Sequence, residues 1–511
     1  MFPSPTLTCP SCEECSDVSI IPSPFCPRKN LIETLSFSVS DAVSCKAKKV
    51  LHDHDISWRN AAAVYNIQFP WFVNYNSARL IANLRFQPIP VGIACVSNTA
   101  DVVNVLEFAL SHGLSVSVRS GGHQPAPFST QNQIVIDTSN INDIELSQDR
   151  LKVGIGTHLG KVYETLGPAN LLCPFGTCAS VTASQALIGG IGFLVRKLGL
   201  ALDQVKEIEI VLATGQIILV NATSYEDLFY ALRGAGAGNF GIVTHLTFQL
   251  TLLDSSVSLF EIEFQTHIRH FPSIIKRFQE WSIMASEDMN PELDLNVSFR
   301  KTPKLSVIGQ FWDSKKRMFK ELKQLLKLPG AMIVLAKEVS LTEAYGFVNK
   351  RFDIDALVSA QFAIDKNVWL QQLSSLKSLQ ILVRGLCHMG RNVQGSHTIA
   401  FETVGGKMGH FGKGCSFYPR DAKIWCHFVS RFTQQSQEVQ NVRFMEKVWN
   451  QFLCSRQLPI YIGFPDTSLK CKTQFLQAYY GRKYPRLISI KEKYDPQNVF
   501  HYAQSLKPKF V

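Results

Sequence analysis

Residues 119–123 read Arg119-Ser120-Gly121-Gly122-His123 and follow directly on the alternating run Leu114-Ser115-Val116-Ser117-Val118. The run predicts a strand, and the paired glycines predict a tight turn at its end. Gly permits positive φ and close backbone approach, so such a turn can wrap an anion with its N–H groups. A reactive imidazole closes the turn. By itself such a stretch is more often a plain tight turn, and two further elements decide between the readings. One is Gly176-Thr177-Cys178-Ala179-Ser180-Val181; the other is Gly236-Ala237-Gly238-Asn239-Phe240-Gly241-Ile242-Val243-Thr244. Gly236, Gly238 and Gly241 spell G-x-G-x-x-G, the dinucleotide fingerprint. A helical run precedes it and the strand-like 242–248 follows, whereas that fingerprint needs a strand first and a helix second. No Rossmann site is read here.

Around these elements strands and helices alternate. Residues 91–96 and 134–137 read as strands, and 101–112 carries apolar residues on one helical face, with Gly113 as its stop. From about 255 to 455 the texture changes. Strand-like runs at 256–264, 293–299 and 305–311 alternate with helical runs at 274–284 and 439–452. Alternation of this kind argues for mixed helix and sheet rather than an all-helical fold, and 511 residues exceed what one core supports.

In this order the three elements resemble the flavin-binding region of the berberine bridge enzyme-like oxidoreductases, in the vanillyl-alcohol oxidase/p-cresol methylhydroxylase superfamily. The resemblance covers roughly 75–511 and is strongest over 86–250 and 478–503, the latter including Tyr479-Tyr480-Gly481 and Tyr494-Asp495-Pro496. It implies an α+β fold. An N-terminal extension over 1–55 would precede a two-subdomain FAD-binding PCMH-type domain over 56–254. A substrate domain over 255–465, an antiparallel sheet covered by helices, would roof the flavin, and 466–511 would return to the FAD domain.

The resemblance also assigns roles. His123 would bond the flavin 8α-methyl group, and Cys178 would be the candidate for a second bond at ring carbon 6, where thiolate is the nucleophile. Ser120, Gly121, Gly122, Gln124, Thr177, Val181, Gly189, Gly190, Gly192, Gly241, Ile242, Val243 and Tyr480 would contact FAD. Tyr461 would be the catalytic base, although a phenol needs help to ionise near neutral pH. FAD would take hydride from a small-molecule substrate and dioxygen would reoxidise it, giving hydrogen peroxide. Phe- and Tyr-rich segments fit a specialised metabolite, while 156–160 and 231–236 echo oligosaccharide oxidases. The chain departs from the family at Thr182-Ala183-Ser184-Gln185, which replaces two expected glycines, and at Gly463, where relatives carry Asn. Those departures motivate a third reading, a flavin-bound scaffold or cyclase without redox turnover. The side chains of the altered turn are expected to point away from the ring.

Composition narrows the partners. The formal charge is +11, and the densest basic stretch is Lys315, Lys316, Arg317, Lys320, Lys323 and Lys327. Apolar residues interleave there at helical spacing, as on a solvated amphipathic helix, and no nucleic-acid signature accompanies them. No apolar run approaches the length of a membrane span. The first 25 residues lack a basic n-region and an apolar h-region, so no secretory signal is read and an intracellular location is expected, secretion being the alternative if the start is misassigned. Cys9, Cys12 and Cys15 mimic metal-ligand spacing without the second half of a zinc site, and no metal is expected.

Overall fold

The strand Val116–Arg119 is the edge of a four-stranded sheet in the order Ile67–Gln68, Gly92–Cys95, Ile134–Asp137, Val116–Arg119. The computed structural model describes residues 41–352, 361–411, 414–453 and 458–509; Cys9, Cys12 and Cys15 lie outside them. Three strands of this sheet run parallel, and the helix Thr99–Ser111 crosses between Gly92–Cys95 and Val116–Arg119. Asn98 caps that helix by accepting from the Asp101 N–H, and Val102, Val105, Leu106 and Ala109 bury its inner face. The helix Asp41–Asp53 packs Leu51 into the same core, so the fold reaches back into the expected extension.

A second sheet of five antiparallel strands has the order Ile144–Ser147, Arg150–Gly154, Ile242–Gln249, Val205–Val211, Ile217–Asn221. Its central strand begins where the Gly236–Gly241 segment ends. The helix Glu226–Ala235 precedes that segment, which confirms the helix-then-strand order.

The third sheet has seven antiparallel strands: Ala331–Val339, Val257–Phe264, Lys304–Phe311, Met289–Ser298, Ser396–Thr403, Ile424–Phe432, Phe362–Leu370. Its two faces differ because its strands alternate. Leu293, Leu295, Val297, Ile399, Phe401 and Phe428 are buried on one face. The helices Phe271–Met284, Leu376–Gly390 and Glu438–Leu453 cover that face with Ile275, Phe278, Leu386 and Phe444. The intervening residues carry polar groups and turn toward the first two sheets. Lys315–Leu322 forms the expected amphipathic helix, burying Met318 and Leu322.

The C-terminal segment returns to the first two sheets. Lys491 is fully buried and its ammonium donates to the carbonyls of Asn239 and Phe500 and to Asp495, each at 2.6 Å. Asn132 donates to the His501 carbonyl, and Tyr502 stacks on Phe128 at 5.1 Å.

Candidate active site

The loop after Val116–Arg119 is held from four sides. Arg119 pairs with Asp137, its register partner on the adjacent strand, with both side chains fully buried. Its carbonyl accepts from the Thr138 N–H at 2.8 Å. Ser120 donates to the Ile155 carbonyl at 3.0 Å and bonds the Thr182 hydroxyl at 2.8 Å. The Gly122 carbonyl accepts from the Ala82 N–H, with Gly122 at φ +67°. A side chain on Gly121 would crowd Thr182 at 3.1–3.3 Å, so glycine there lets the loop pass close to Thr182 without displacing it.

Beneath the polar face of the third sheet lies one cavity of about 1150 Å³, larger than most small-ligand sites. Ser120, Gly121, Gly122, His123, Gln124, Thr177, Cys178, Val181, Gly241, Val243 and Tyr461 all line it. Gly189, Gly190, Gly192, Ile242 and Tyr480 do not. Gly189 packs against the Phe417 and Tyr461 rings, Gly190 against Ala201, and Gly192 against the Phe175 carbonyl. Ile242 points to the opposite face of its strand, into the core with Val211, and Tyr480 is fully buried behind the site. The altered turn also differs from expectation. Thr182, Ser184 and Gln185 line the cavity, because Thr182 bonds Ser120 on one side and Ser184 at 2.8 Å on the other.

The sheet supplies the roof in register. One row across its polar face is Glu292, Glu402, Trp425 and Trp369; the next is Asp294, Ala400, His427 and Asn367. The third is Asn296, Thr398, Val429 and Asp365, and the fourth Ser298, Ser396, Arg431 and Ala363. His427 Nε2 is 3.1 Å from Asp365, and Thr398 donates to Asn296 at 2.7 Å. Glu292 and Glu402 face each other directly, an arrangement that disfavours charging both. The Glu402 carboxyl is pushed up to about 8, first by burial and then by the negative charge of Asp294.

Tyr461 hangs at the Glu402 end within reach of four rings, those of Trp369, Trp425, Phe417 and Phe464. Asn367 fixes its backbone: the amide oxygen accepts from the Tyr461 N–H at 2.7 Å and the amide nitrogen donates to the Phe464 carbonyl. The Gly190 N–H reaches the Tyr461 hydroxyl, yet burial and the neighbouring Glu402 carboxylate hold this phenol above its ordinary pKa, opposite to what a base requires. Sequence reasoning missed Glu402, Asp294, His427, Asp365 and Asn367. Their signal was the alternation of polar and apolar residues along each strand, read only as secondary structure.

The residues fit a flavin dinucleotide. The Gly121-Gly122 turn brings backbone to the cavity wall, Gly241 makes room for Val211 and Ile210 of the adjacent strand, and Gln185 Nε2 is buried in the wall without a hydrogen-bond partner among the described residues, a donor awaiting an acceptor. His123 and the free, half-buried thiol of Cys178, 3.3 Å from the Ser180 hydroxyl, belong to the same cavity. Among the described residues no group of His, Cys, Asp or Glu could hold a metal, and no helix is long and apolar enough to cross a membrane.

Comparison with known proteins agrees with this site. Residues 90–221 match the FAD binding domain family and 460–507 the "Berberine and berberine like" family. An uncharacterised FAD-linked oxidoreductase of Bacillus subtilis is 29% identical over 85% of this chain and 95% of its own. A chitooligosaccharide oxidase of Gibberella zeae is 25% identical over 89% of this chain and 91% of its own. Among solved structures, a glucooligosaccharide oxidase from Acremonium strictum described as carrying a 6-S-cysteinyl, 8α-N1-histidyl FAD superposes with TM-score 0.79 at 21% identity, over 88% of this chain and 99% of that one. The chain carries an FAD binding domain and a berberine-like C-terminal segment, and its relatives include FAD-linked oxidoreductases and oxidases.

Proposed function

We propose that this FAD-linked oxidoreductase is an oxidase of polyhydroxylated small molecules, with its flavin tethered through His123 and Cys178. The observation that carries the reading is a single cavity with both candidate attachment residues among its lining and a carboxyl tuned near neutrality in its roof. When bound, FAD supplies the hydride acceptor and passes two electrons to dioxygen, so that a carbinol and O2 become a carbonyl and H2O2. The protein's own part is acid–base and positional. Glu402 takes the hydroxyl proton, since a group with pKa near the working pH is the effective base. Tyr461, held protonated, donates a hydrogen bond to the substrate oxygen and fixes it beside Glu402. Gln185 orients the ring through its free N–H, and His123 and Cys178 keep the cofactor in an open site.

The roof favours a sugar-like substrate over an apolar metabolite. Asp294, Asn296, Thr398, Asp365 and His427 offer hydrogen-bonding groups along the cavity, with Trp425 as a ring for stacking. The oligosaccharide oxidases among the relatives support the same choice. Acid precipitation is the first test: a yellow pellet is expected, and a colourless pellet with FAD in the supernatant would overturn the tether. Peroxide release is the second, measured across alcohols and sugars. If no member of the panel either releases peroxide or reduces the flavin anaerobically, the protein is a scaffold rather than an oxidase.

A further inference from the structure

The roof is polarised along its strands. Its acidic end holds Glu292, Glu402 and Asp294, whereas Arg431 is the ionisable side chain of the fourth row. Successive rows are two residues apart, roughly 6.5–7 Å along a strand. Arg431 therefore stands about 13–14 Å from His427 and about 20 Å from Trp425. Its guanidinium is half-buried in the cavity wall and accepts no partner: among the described residues it makes no hydrogen bond and no ion pair. The acids within reach are engaged elsewhere. Asp365, its diagonal neighbour, is bonded by His427 at 3.1 Å, and Glu438 is bonded by Arg85 at 2.9 Å. Lys301 lines the same end of the cavity and is exposed, adding a second positive charge at its mouth.

A half-buried guanidinium that no protein acceptor engages keeps its planar fork available, and that fork matches a carboxylate bidentately. Burial lowers its pKa, and the charge of Asp365 offsets this only in part. We propose that Arg431 is a specificity determinant for an anionic substrate, one whose carboxylate docks at the outer end of the roof while the carbinol to be oxidised lies beside Glu402. This deepens the reading of the cavity as the substrate site and rests on it. An acid-terminated oligosaccharide long enough to span the roof meets the description, and a single uronic acid would fill only its outer end. A neutral sugar leaves Arg431 unmatched, and a cationic ligand is repelled by it.

The test uses the oxidised holoprotein and binding calorimetry, so that it is independent of turnover. Three acids are each titrated against their neutral counterpart: glucuronate with glucose, glucuronosyl-glucose with cellobiose, and 3-phenylpropionate with 3-phenylpropanol. At least one acid is expected to bind tenfold more tightly than its counterpart. Arg431→Gln should abolish that margin without weakening the neutral ligand, and Arg431→Lys should restore part of it. The flavin spectrum and thermal midpoint of each variant establish that the fold is intact. If no acid outbinds its counterpart, or if the margin survives in Arg431→Gln, the assignment is wrong. A chain that never reduces its flavin but shows the margin would sink the oxidase reading and leave Arg431 as the anion-recognising end of a binding cavity.

Discussion

Replacing Glu402 with glutamine keeps the shape of the carboxyl group and removes its proton. Burial and Asp294 move this group from its ordinary 4.5 to about 8. At pH 7 only roughly one molecule in ten then carries the ionised base, and the rate of flavin reduction should rise about tenfold per pH unit until the limb flattens near pH 8. The same shift is a statement about stability. Because the folded pKa is raised, the contribution is fully present below the unfolded value and is lost as pH rises through the folded one. Between about pH 4.5 and 8 the unfolded chain sheds a proton that the folded chain keeps, so wild-type stability falls relative to Glu402→Gln by at most about 1.4 kcal/mol per pH unit. Urea denaturation of both proteins from pH 5 to 9 reads that slope without any substrate. With an oxidisable substrate, the variant should lose about 10²- to 10⁴-fold in kcat together with the alkaline-rising limb. Parallel stability curves, or a variant that retains the limb, would refute the placement of the proton on Glu402.

Four other outcomes are expected. His123→Ala should leave any residual flavin extractable by acid, and persistence of colour in the variant pellet would assign the tether to another residue. A proteolytic digest of the holoprotein should join the His123 and Cys178 peptides through flavin in a mass spectrum, whereas alkylation of Cys178 in the unfolded holoprotein would exclude its bond. Thr182→Gly should open the wall beside the Gly121-Gly122 turn and speed reoxidation of the photoreduced protein in stopped flow; an unchanged rate would show that this wall does not limit oxygen. Lys491→Met strands the buried Asp495 carboxylate and should cost about 3–5 kcal/mol in denaturant unfolding, and a loss below about 1 kcal/mol would contradict the burial of that pair.

The flavin side of the site was readable because its chemistry sits in short contiguous stretches. A strand, two glycines and a histidine occupy neighbouring positions, and the same holds for Gly176-Thr177-Cys178. The substrate side was not, since Glu292, Glu402, Trp425 and Trp369 come from four strands and meet only through antiparallel register. The string Glu292-Leu293-Asp294-Leu295-Asn296-Val297-Ser298 does announce a strand with one polar face, but nothing local says what that face looks upon. Glycines misled in the other direction. Gly189, Gly190 and Gly192 satisfy backbone crowding against Tyr461, Ala201 and Phe175 rather than cofactor approach. Thr182 was expected to turn outward, but Ser120 offers its hydroxyl a partner on the cavity side.

The return of residues 491–502 to the first sheets also orders events in time. Phe500, His501 and Tyr502 form part of the cavity wall, and the Lys491 ammonium secures the Asn239 and Phe500 carbonyls. Chains emerge N-terminus first, at about 5–20 residues per second. The glycine loops are therefore synthesised on the order of ten to eighty seconds before the segment that closes over them. A nascent chain in that interval presents the glycine loops without the wall that Phe500, His501 and Tyr502 later supply.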